Sequence, residues 1–559
     1  MLASTASLAK VAIAQVKKAD RLFFDVETTG LHWSRGDRIC GVAVDAGHGT
    51  HYLPFRHGEG YNLPEHYLGK LAEAMNGKPV CGHNTKFDAH FMALEGYEIP
   101  DSLHCTLLAS QLLNENVKSL SLKKLGDQYL GSDSSAEDKQ LGEELRKRKL
   151  KKGDMWKLPS EVVAPYAIQD VDLTRRLYEY VVPRLKGWGL YEIWLECCRY
   201  LTITANMEER GMQVDSKVLS KLASRAEIES AALLDKIRTV AGYDVNPGSP
   251  PQMKGLLQTA DTKASTVERC NHPAASLLLK WRQWSKMYSS YCKPWAEAAA
   301  LDGAIHASLN LGGTVAGRPS CSGPNLQAVA RKTEVYVVKD AIVARPGRVI
   351  VSADYSQAEL RLGAHYAKEQ RMIDVFMADG DIHQETADEA GIKRNDAKRI
   401  NFGIVYGLGS KGLAEQLRIP RKEAAGMLSK WHATYPGFSK LADAAENAAR
   451  TDGLIRMWTG RIRRFDGLVS QYRNALSALV QGGVAEIMRT AIMKLDYHRD
   501  IAPMLMQVHD QVLFEPKLDD LEEAVYFIRE AMQDFHFTVP MKVDISYGPS
   551  WGDQKEIVV

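Results

Sequence analysis

The chain reads as a mixed protein of at least two domains, an α/β unit of about 185 residues followed by a larger α+β unit. Three observations carry this. Its 559 residues, 45% hydrophobic and 25% charged, are ordinary globular material and too many for one typical core. Apolar, strand-like RLFFDVE and ICGVAVDA come early, and helical periodicity follows to about residue 185. Beyond that point two more buried-strand candidates, Arg348 to Asp354 and Met504 to Phe514, stand either side of a long helical stretch.

Taken in order, the opening MLASTASLAKVAIAQVKK is acid-free and carries Ser and Lys like a transit peptide. It lacks Arg and runs straight into the first strand, so a short amphipathic helix is expected. The domain boundary is expected between Val181 and Gly189, after a helix holding Tyr166 to Tyr180, which divides the chain into 1–185 and 186–559. From Tyr191 to Ala300 the pattern is helical, broken by the turn-rich DVNPGSPPQ. There is no internal repeat.

A net charge of +2 gives no strong overall field, so any binding of polyanions must come from local Lys and Arg. The run Arg146 to Lys152 is dense, but such runs are more often solvated surface than phosphate sites. The eight cysteines form no C-x-x-C pair, which argues against a zinc knuckle or disulfide framework and fits a reducing cytosol. No apolar stretch is long enough to cross a bilayer, so no membrane partner is expected.

Asp25 and Glu27 sit two apart on a strand, so both project to one face and could share a divalent cation. Alone this means little, because 69 acids in 559 residues would give about eight such pairs by chance. Downstream, GHNTKFDAHF places Asp88 on a helix, and YAIQDVDLT puts Tyr166 and Asp170 four apart on one helical face. In order and spacing these residues resemble the proofreading 3′–5′ exonucleases that precede the polymerase in family A enzymes. The resemblance implies that Asp25, Glu27, Asp88 and Asp170 hold two Mg²⁺ or Mn²⁺ ions and that Tyr166 orients the attacking water.

A second pair of acids follows. RVIVSADYSQAELRL is an apolar strand ending at Asp354, and LMQVHDQVLF reads as two short strands joined at His509 and Asp510. A carboxylate at the tip of a buried strand is costly unless a cation neutralises it. Between them, RNDAKRINFGIVYG repeats Arg394, Lys398, Phe402 and Tyr406 every four residues, which lines them along one helix face. Two cations followed by two aromatics suit a nucleotide, phosphates at one end and base and sugar at the other.

These segments resemble the catalytic motifs of family A DNA polymerases, and the similarity runs from about Arg21 to Trp551. It implies a ribonuclease H-like exonuclease domain followed by a right-hand polymerase, with thumb about Asp215 to Ala300, fingers about Asp381 to Arg450 and palm from the rest. Asp354, Asp510 and the Tyr355 backbone would hold two further ions. Gln357, Glu359 and His383 would join the helix face in binding dNTP, with Glu359 closing off the sugar 2′ position. In enzymes resembling this one, phenylalanine at the place of Phe402 goes with rejection of dideoxynucleotides. Arg318, Asn325, Gln327, Arg473, Gln481, His509, Arg282 and Lys286 would touch primer-template DNA. Of these, Arg318 and Gln481 suit minor-groove acceptors that every correct pair shares.

The segment MEERGMQVD resembles the start of the polymerase domain. Two departures stand out: Gln511 replaces the glutamate usual after His-Asp, and Ser477 replaces an asparagine four residues before Gln481. With 24 residues ahead of Asp25, no 5′-nuclease domain is expected; nor is an insertion beside the thumb of the kind that recruits thioredoxin. The economy suggests a bacteriophage or prophage replication enzyme in the cytoplasm of a bacterial host; replisome partners are not indicated. A single-subunit RNA polymerase is disfavoured by Glu359 and the exonuclease half. A scaffold with a dead polymerase is disfavoured by the intact acids.

Overall fold

The computed structural model describes residues 1–131, 136–467 and 469–557. The opening segment is the helix Ala6–Lys18, with Thr5 Oγ1 accepting the Leu8 N–H at 3.3 Å as its cap. Ala9, Ala12, Ile13 and Val16 are buried, a three- and four-residue spacing that puts one apolar face on the domain. Among the described residues no helix is long and apolar enough to cross a membrane.

The first sheet has the strand order Thr50–Pro54, Ile39–Asp45, Leu22–Thr28, Val80–Gly82, His104–Cys105. The first three pair antiparallel and the last two join in parallel. Sequence periodicity located only the second and third of these; Val80–Gly82 and His104–Cys105 are too short to show alternation, and Thr50–Pro54 is buried at four of its five positions, so it shows none either. In the central strand Leu22, Phe24 and Val26 face the core, leaving Asp25 and Glu27 together on the other face.

The helix Ser160–Trp188 packs across this sheet. It is longer than its expected span, continuing through Pro183 to Trp188, where Gly189 closes it at φ 70°. The helix Tyr191–Arg210 follows directly and leads into the second domain. Near its end Glu208 ties the halves together. Its carboxylate accepts Lys86 Nζ at 2.5 Å, the Leu309 N–H at 2.6 Å and His90 Nε2 at 2.9 Å, all buried. Burial alone would raise the Glu208 pKa, but Lys86 and His90 hold it below the usual range. Lys86 and His90 flank Asp88 on the helix Thr85–Ala93, so the segment carrying that acid is anchored to the second domain.

In the second domain, the helices Ser216–Ala241 and Ala274–Lys286 pack on each other. The latter passes into a π-helical turn at Met287–Cys292, where the sequence pattern suggested one uninterrupted α-helix. The second sheet is antiparallel throughout, in the order Met504–Val508, Gln511–Phe514, Ile350–Tyr355, Val543–Gly548, Lys555–Glu556. The central strand starts two residues later than Arg348 and continues one past Asp354, and Ile350 to Ala353 are all buried. A helical cluster from Ala358 to Thr451 has its own core, built on Leu360, Phe376, Ile382, Ile400, Trp431, Tyr435 and Phe438.

Candidate active sites

In the first domain Asp25 and Glu27 meet Asp88 and Asp170 above the sheet. The Val26 N–H donates to Asp88 Oδ1 at 2.9 Å, which locks the Asp88 helix to the strand between the two acids. Tyr166 lies one turn before Asp170 on the same helix. Burial, then the charges of Asp88, Glu27 and Asp170, raise Asp25 well above the usual carboxylate range. Burial and Asp170 push Glu27 up to about 8, and burial raises Asp88 to about 7. The Tyr166 hydroxyl is also pushed up, by burial and by Asp170.

Two cations there were not foreseen. Lys123, on the helix Leu122–Leu130, ion-pairs with Asp170 and lies 4.7 Å from the centre of the Tyr166 ring. Lys152 stands 5.0 Å from the same ring. The basic run is surface, with Lys147 on Glu144, Arg148 on Glu59 and Lys152 on Asp138, although the charge of Lys152 is near enough to favour the ionised forms of Glu27 and Asp170. Nothing local in the sequence marks Lys123, which lies 47 residues from Asp170.

Among the described residues no three acids, histidines or cysteines already stand as a ligand cluster for an ion. The reason is visible: Asp170 is turned to Lys123 and Asp88 takes a backbone N–H. The donor set nevertheless suits a hard cation, being all carboxylate oxygen, and Glu27 Oε1 is buried without a protein partner. A buried, unpaired carboxylate oxygen is costly until something neutralises it.

In the second domain the Tyr355 N–H donates to the Asp510 carbonyl at 3.1 Å, so the segments bearing the two acids are bonded to each other. Asp354 stands opposite Gln511 on one side and Asp544 on the other. Directly opposed residues share a sheet face, so Asp354 has an amide and a second carboxylate as neighbours. Burial in the cleft and then Asp544 raise the Asp354 pKa, although the residue is exposed by area. Burial and then Glu359 push Asp510 up to about 6. Asp544 was missed although VDISY shows strand alternation; its relation to Asp354 exists only in the sheet register.

A polar chain connects these acids to the helical cluster between Ala358 and Thr451. Arg318 Nη2 donates to Glu359 Oε1 at 2.8 Å and to Asp510 Oδ1 at 3.3 Å, and the Tyr406 hydroxyl donates to Glu359 Oε1 at 3.3 Å. The helix Arg394–Val405 ends one residue before Tyr406, yet the expected face persists, with the Phe402 and Tyr406 rings stacked at 6.1 Å. Phe402 lies 5.5 Å from the His383 ring. Lys398 is exposed on the same helix, and Arg394 Nε donates to Asp381 Oδ2 at 2.5 Å. Asp381 Oδ1 meanwhile accepts the His383 and Gln384 N–H groups, capping the helix Ile382–Ala390. Gln357 is left-handed at φ 56°, and its Oε1 is buried without a protein partner.

The remaining predicted residues are spread more widely. Gln327 Nε2 donates to the Gln507 carbonyl and His509 Nε2 bonds the Gln327 carbonyl, both at 3.1 Å, which joins this segment to the Asp510 hairpin. Asn325 spends its side chain on local structure, accepting the Gln327 and Ala328 N–H groups. Arg473 is exposed, its backbone packed near Gly407 just beyond the helix Arg394–Val405, and Gln481 is half-buried on the helix Ala475–Leu495. Arg282 is engaged within its own helical unit, donating to the Thr262 carbonyl at 2.5 Å, and Lys286 lies 6.0 Å from the Tyr291 ring.

Residues 216–553 match the family model of DNA polymerase family A, and residues 2–186 match a 3′–5′ exonuclease model. DNA polymerase I of Rhizobium leguminosarum is 30% identical over 97% of this chain and 60% of its own length. DNA polymerase I of Pseudomonas aeruginosa is 28% identical over 97% and 64%. The chain thus spans under two thirds of the length of these relatives. Among solved structures, the POL domain of Pol1 from M. smegmatis, in complex with DNA primer-template and dNTP, has the same fold. Its TM-score is 0.85 at 24% identity, with 99% of each chain covered. With more than half of its length matched by that family model, this chain belongs to DNA polymerase family A and carries a domain of the 3′–5′ exonuclease type ahead of the polymerase domain.

Proposed function

We propose that the protein copies a DNA template by adding dNTPs to a primer and trims mispaired, single-stranded 3′ ends in its first domain. The observation that carries this reading is the pair of carboxylate clusters, one in each domain, of which only the second is joined to a helix face built for a nucleotide. The carboxylates of each centre would hold divalent cations, Mg²⁺ or Mn²⁺ and two at each, which when bound would supply positive charge for the attacking and leaving oxygens.

At the second centre Asp354 and Asp510 hold that charge at the meeting of strand and hairpin. Arg394 and Lys398 draw the triphosphate to the start of the helix, and Phe402 and Tyr406 pack against sugar and base. Glu359, buried and pinned by Arg318 and Tyr406, crowds the 2′ position and so favours deoxyribose. Arg318 and Gln481 test the minor groove; Asn325, Gln327, Arg473, His509, Arg282 and Lys286 follow the backbone of the duplex. At the first centre Asp25, Glu27, Asp88 and Asp170 hold the ions, and Tyr166 orients water toward the terminal phosphodiester.

The test is a labelled primer on a template with Mg²⁺, incubated with and without dNTPs. Extension with them and shortening from the 3′ end without them are expected. A folded protein that does neither would overturn the reading.

A further inference from the structure

His383 is buried in the fingers, and its two ring nitrogens have different fates. Nδ1 lies 3.0 Å from Asn401 Nδ2, whereas Nε2 is shut from solvent with no partner among the described residues. Which nitrogen carries hydrogen depends on which end of the Asn401 amide faces the ring. That is decided on the far side of the asparagine, where the Trp431 indole N–H donates to Asn401 Oδ1 at 2.7 Å. An indole nitrogen can only donate, so an inverted amide would set two donors against each other. Thr386 agrees: its hydroxyl donates to the Ile382 carbonyl at 2.7 Å and accepts Asn401 Nδ2 at 3.1 Å.

Asn401 Nδ2 therefore donates to Nδ1, and the neutral ring must carry its hydrogen on Nε2. Burial favours the neutral state, pulling the ring down to about 4. A buried N–H without an acceptor is costly, so the arrangement makes sense only if a ligand supplies one. The ring stands against Phe402, on the helix that also bears Lys398 and Arg394.

We propose that Asn401, held in orientation by Trp431, is a positioning residue that fixes His383 as the Nε2–H tautomer, so that a neutral imidazole donates to a phosphate oxygen of the incoming nucleotide. This rests on reading the Arg394 to Tyr406 face as the dNTP site. Asn401 touches no substrate; it acts through the ring of His383. A fixed neutral donor adds one more directed hydrogen bond to the fork of Arg394 and the charge of Lys398.

The test uses the full chain labelled with ¹⁵N-histidine, the His383 signals being identified by their loss in His383→Gln. The parent should show one neutral tautomer with hydrogen on Nε2. Trp431→Phe, which frees the amide to invert, and Asn401→Leu, which removes it, should each give a mixture. With the exonuclease disabled by Asp25→Ala and Glu27→Ala, both should raise the dNTP KM about three- to tenfold, one hydrogen bond's worth, with little change in kcat. Added to His383→Ala, Trp431→Phe should raise KM no further, whereas a merely structural role would add in both backgrounds. A single unchanged tautomer in both variants, or additive KM effects, would overturn the proposal. A parent that extends no primer would instead sink the polymerase reading, while the tautomer measurement would still report on Asn401.

Discussion

The two carboxylate centres are built from the same residue types and treat them differently. In the first domain four acids are enclosed between one strand and two helices, and Glu27 and Asp88 are pushed up to about 8 and about 7. In the second, Asp354 is exposed, Asp510 reaches only about 6, and Arg318 bonds Asp510 and Glu359 together. In the first centre burial, and after it the neighbouring carboxylates, favours the neutral acids, a cost that bound cations would offset. The second spreads its charge along a chain from Asp510 through Arg318 and Glu359 to Tyr406, on the face proposed to receive the nucleotide. Position explains the difference: a strand between packed helices traps its acids, while a strand meeting a hairpin at a cleft leaves them open to water and to a large ligand.

Independence of the centres is the most demanding consequence. Asp354→Asn or Asp510→Asn should lower extension by about 10³-fold or more, the loss of several kcal/mol of charge stabilisation, while 3′ degradation of single strands persists. Asp25→Ala with Glu27→Ala should do the reverse. A single substitution that removed both activities from a folded chain would break the comparison.

On the proposed reading, nucleotide selection belongs to the second centre alone. Phe402 offers a ring edge but no hydroxyl, so a dideoxynucleotide leaves a phosphate oxygen unpaired where a dNTP satisfies it with its own 3′-OH. That costs about 1–3 kcal/mol. Phe402→Tyr should therefore erase roughly 10- to 100-fold discrimination in single-nucleotide competition of ddNTP against dNTP. An equally selective variant would show that the ring of Phe402 does not meet the sugar.

Burial of the first centre's acids predicts a pH effect on stability. Burial pushes Glu27 up to about 8 and Asp88 up to about 7, above the usual carboxylate range. The fold thus favours their protonated forms, a contribution present below about pH 4 and lost as pH rises through 7 and 8. In metal-free buffer at high pH, Glu27→Gln should raise the Tm of the first domain by about 2 °C or more, and Mg²⁺ should stabilise the parent more than the variant. Calorimetry showing equal Tm values would mean that Glu27 is not under electrostatic strain.

The smallest effect concerns the charge beside Asp354. Gln511 and Asp544 flank it, so Gln511→Glu would give it a carboxylate on both sides. The Mg²⁺ concentration for half-maximal extension should fall about threefold, since charges near the surface at this range interact weakly. An unchanged titration would place position 511 outside the reach of the ions.

Much of this was open to sequence reading because the chemistry repeats at short range. Asp25 with Glu27, Tyr166 with Asp170, and Arg394 through Tyr406 each declare a face by strand or helix period alone. The paired strands around His509 and Asp510 were equally plain, since apolar runs either side of a turn admit few other folds. The short strands of the first sheet were not, because two or three residues carry no period, and the helix to Trp188 outran its expected end because Pro183 did not stop it.

Sequence alone thus determined the residue types, their order and the faces they occupy, all properties of φ, ψ and side-chain spacing within single elements. Only the tertiary structure decided which distant groups meet. Lys123 reaches Asp170 across 47 positions, Asp544 stands beside Asp354 through sheet register, and Trp431 settles the hydrogen on His383 through Asn401. Such contacts depend on how elements pack, and packing places side chains together without leaving any periodic mark in the chain.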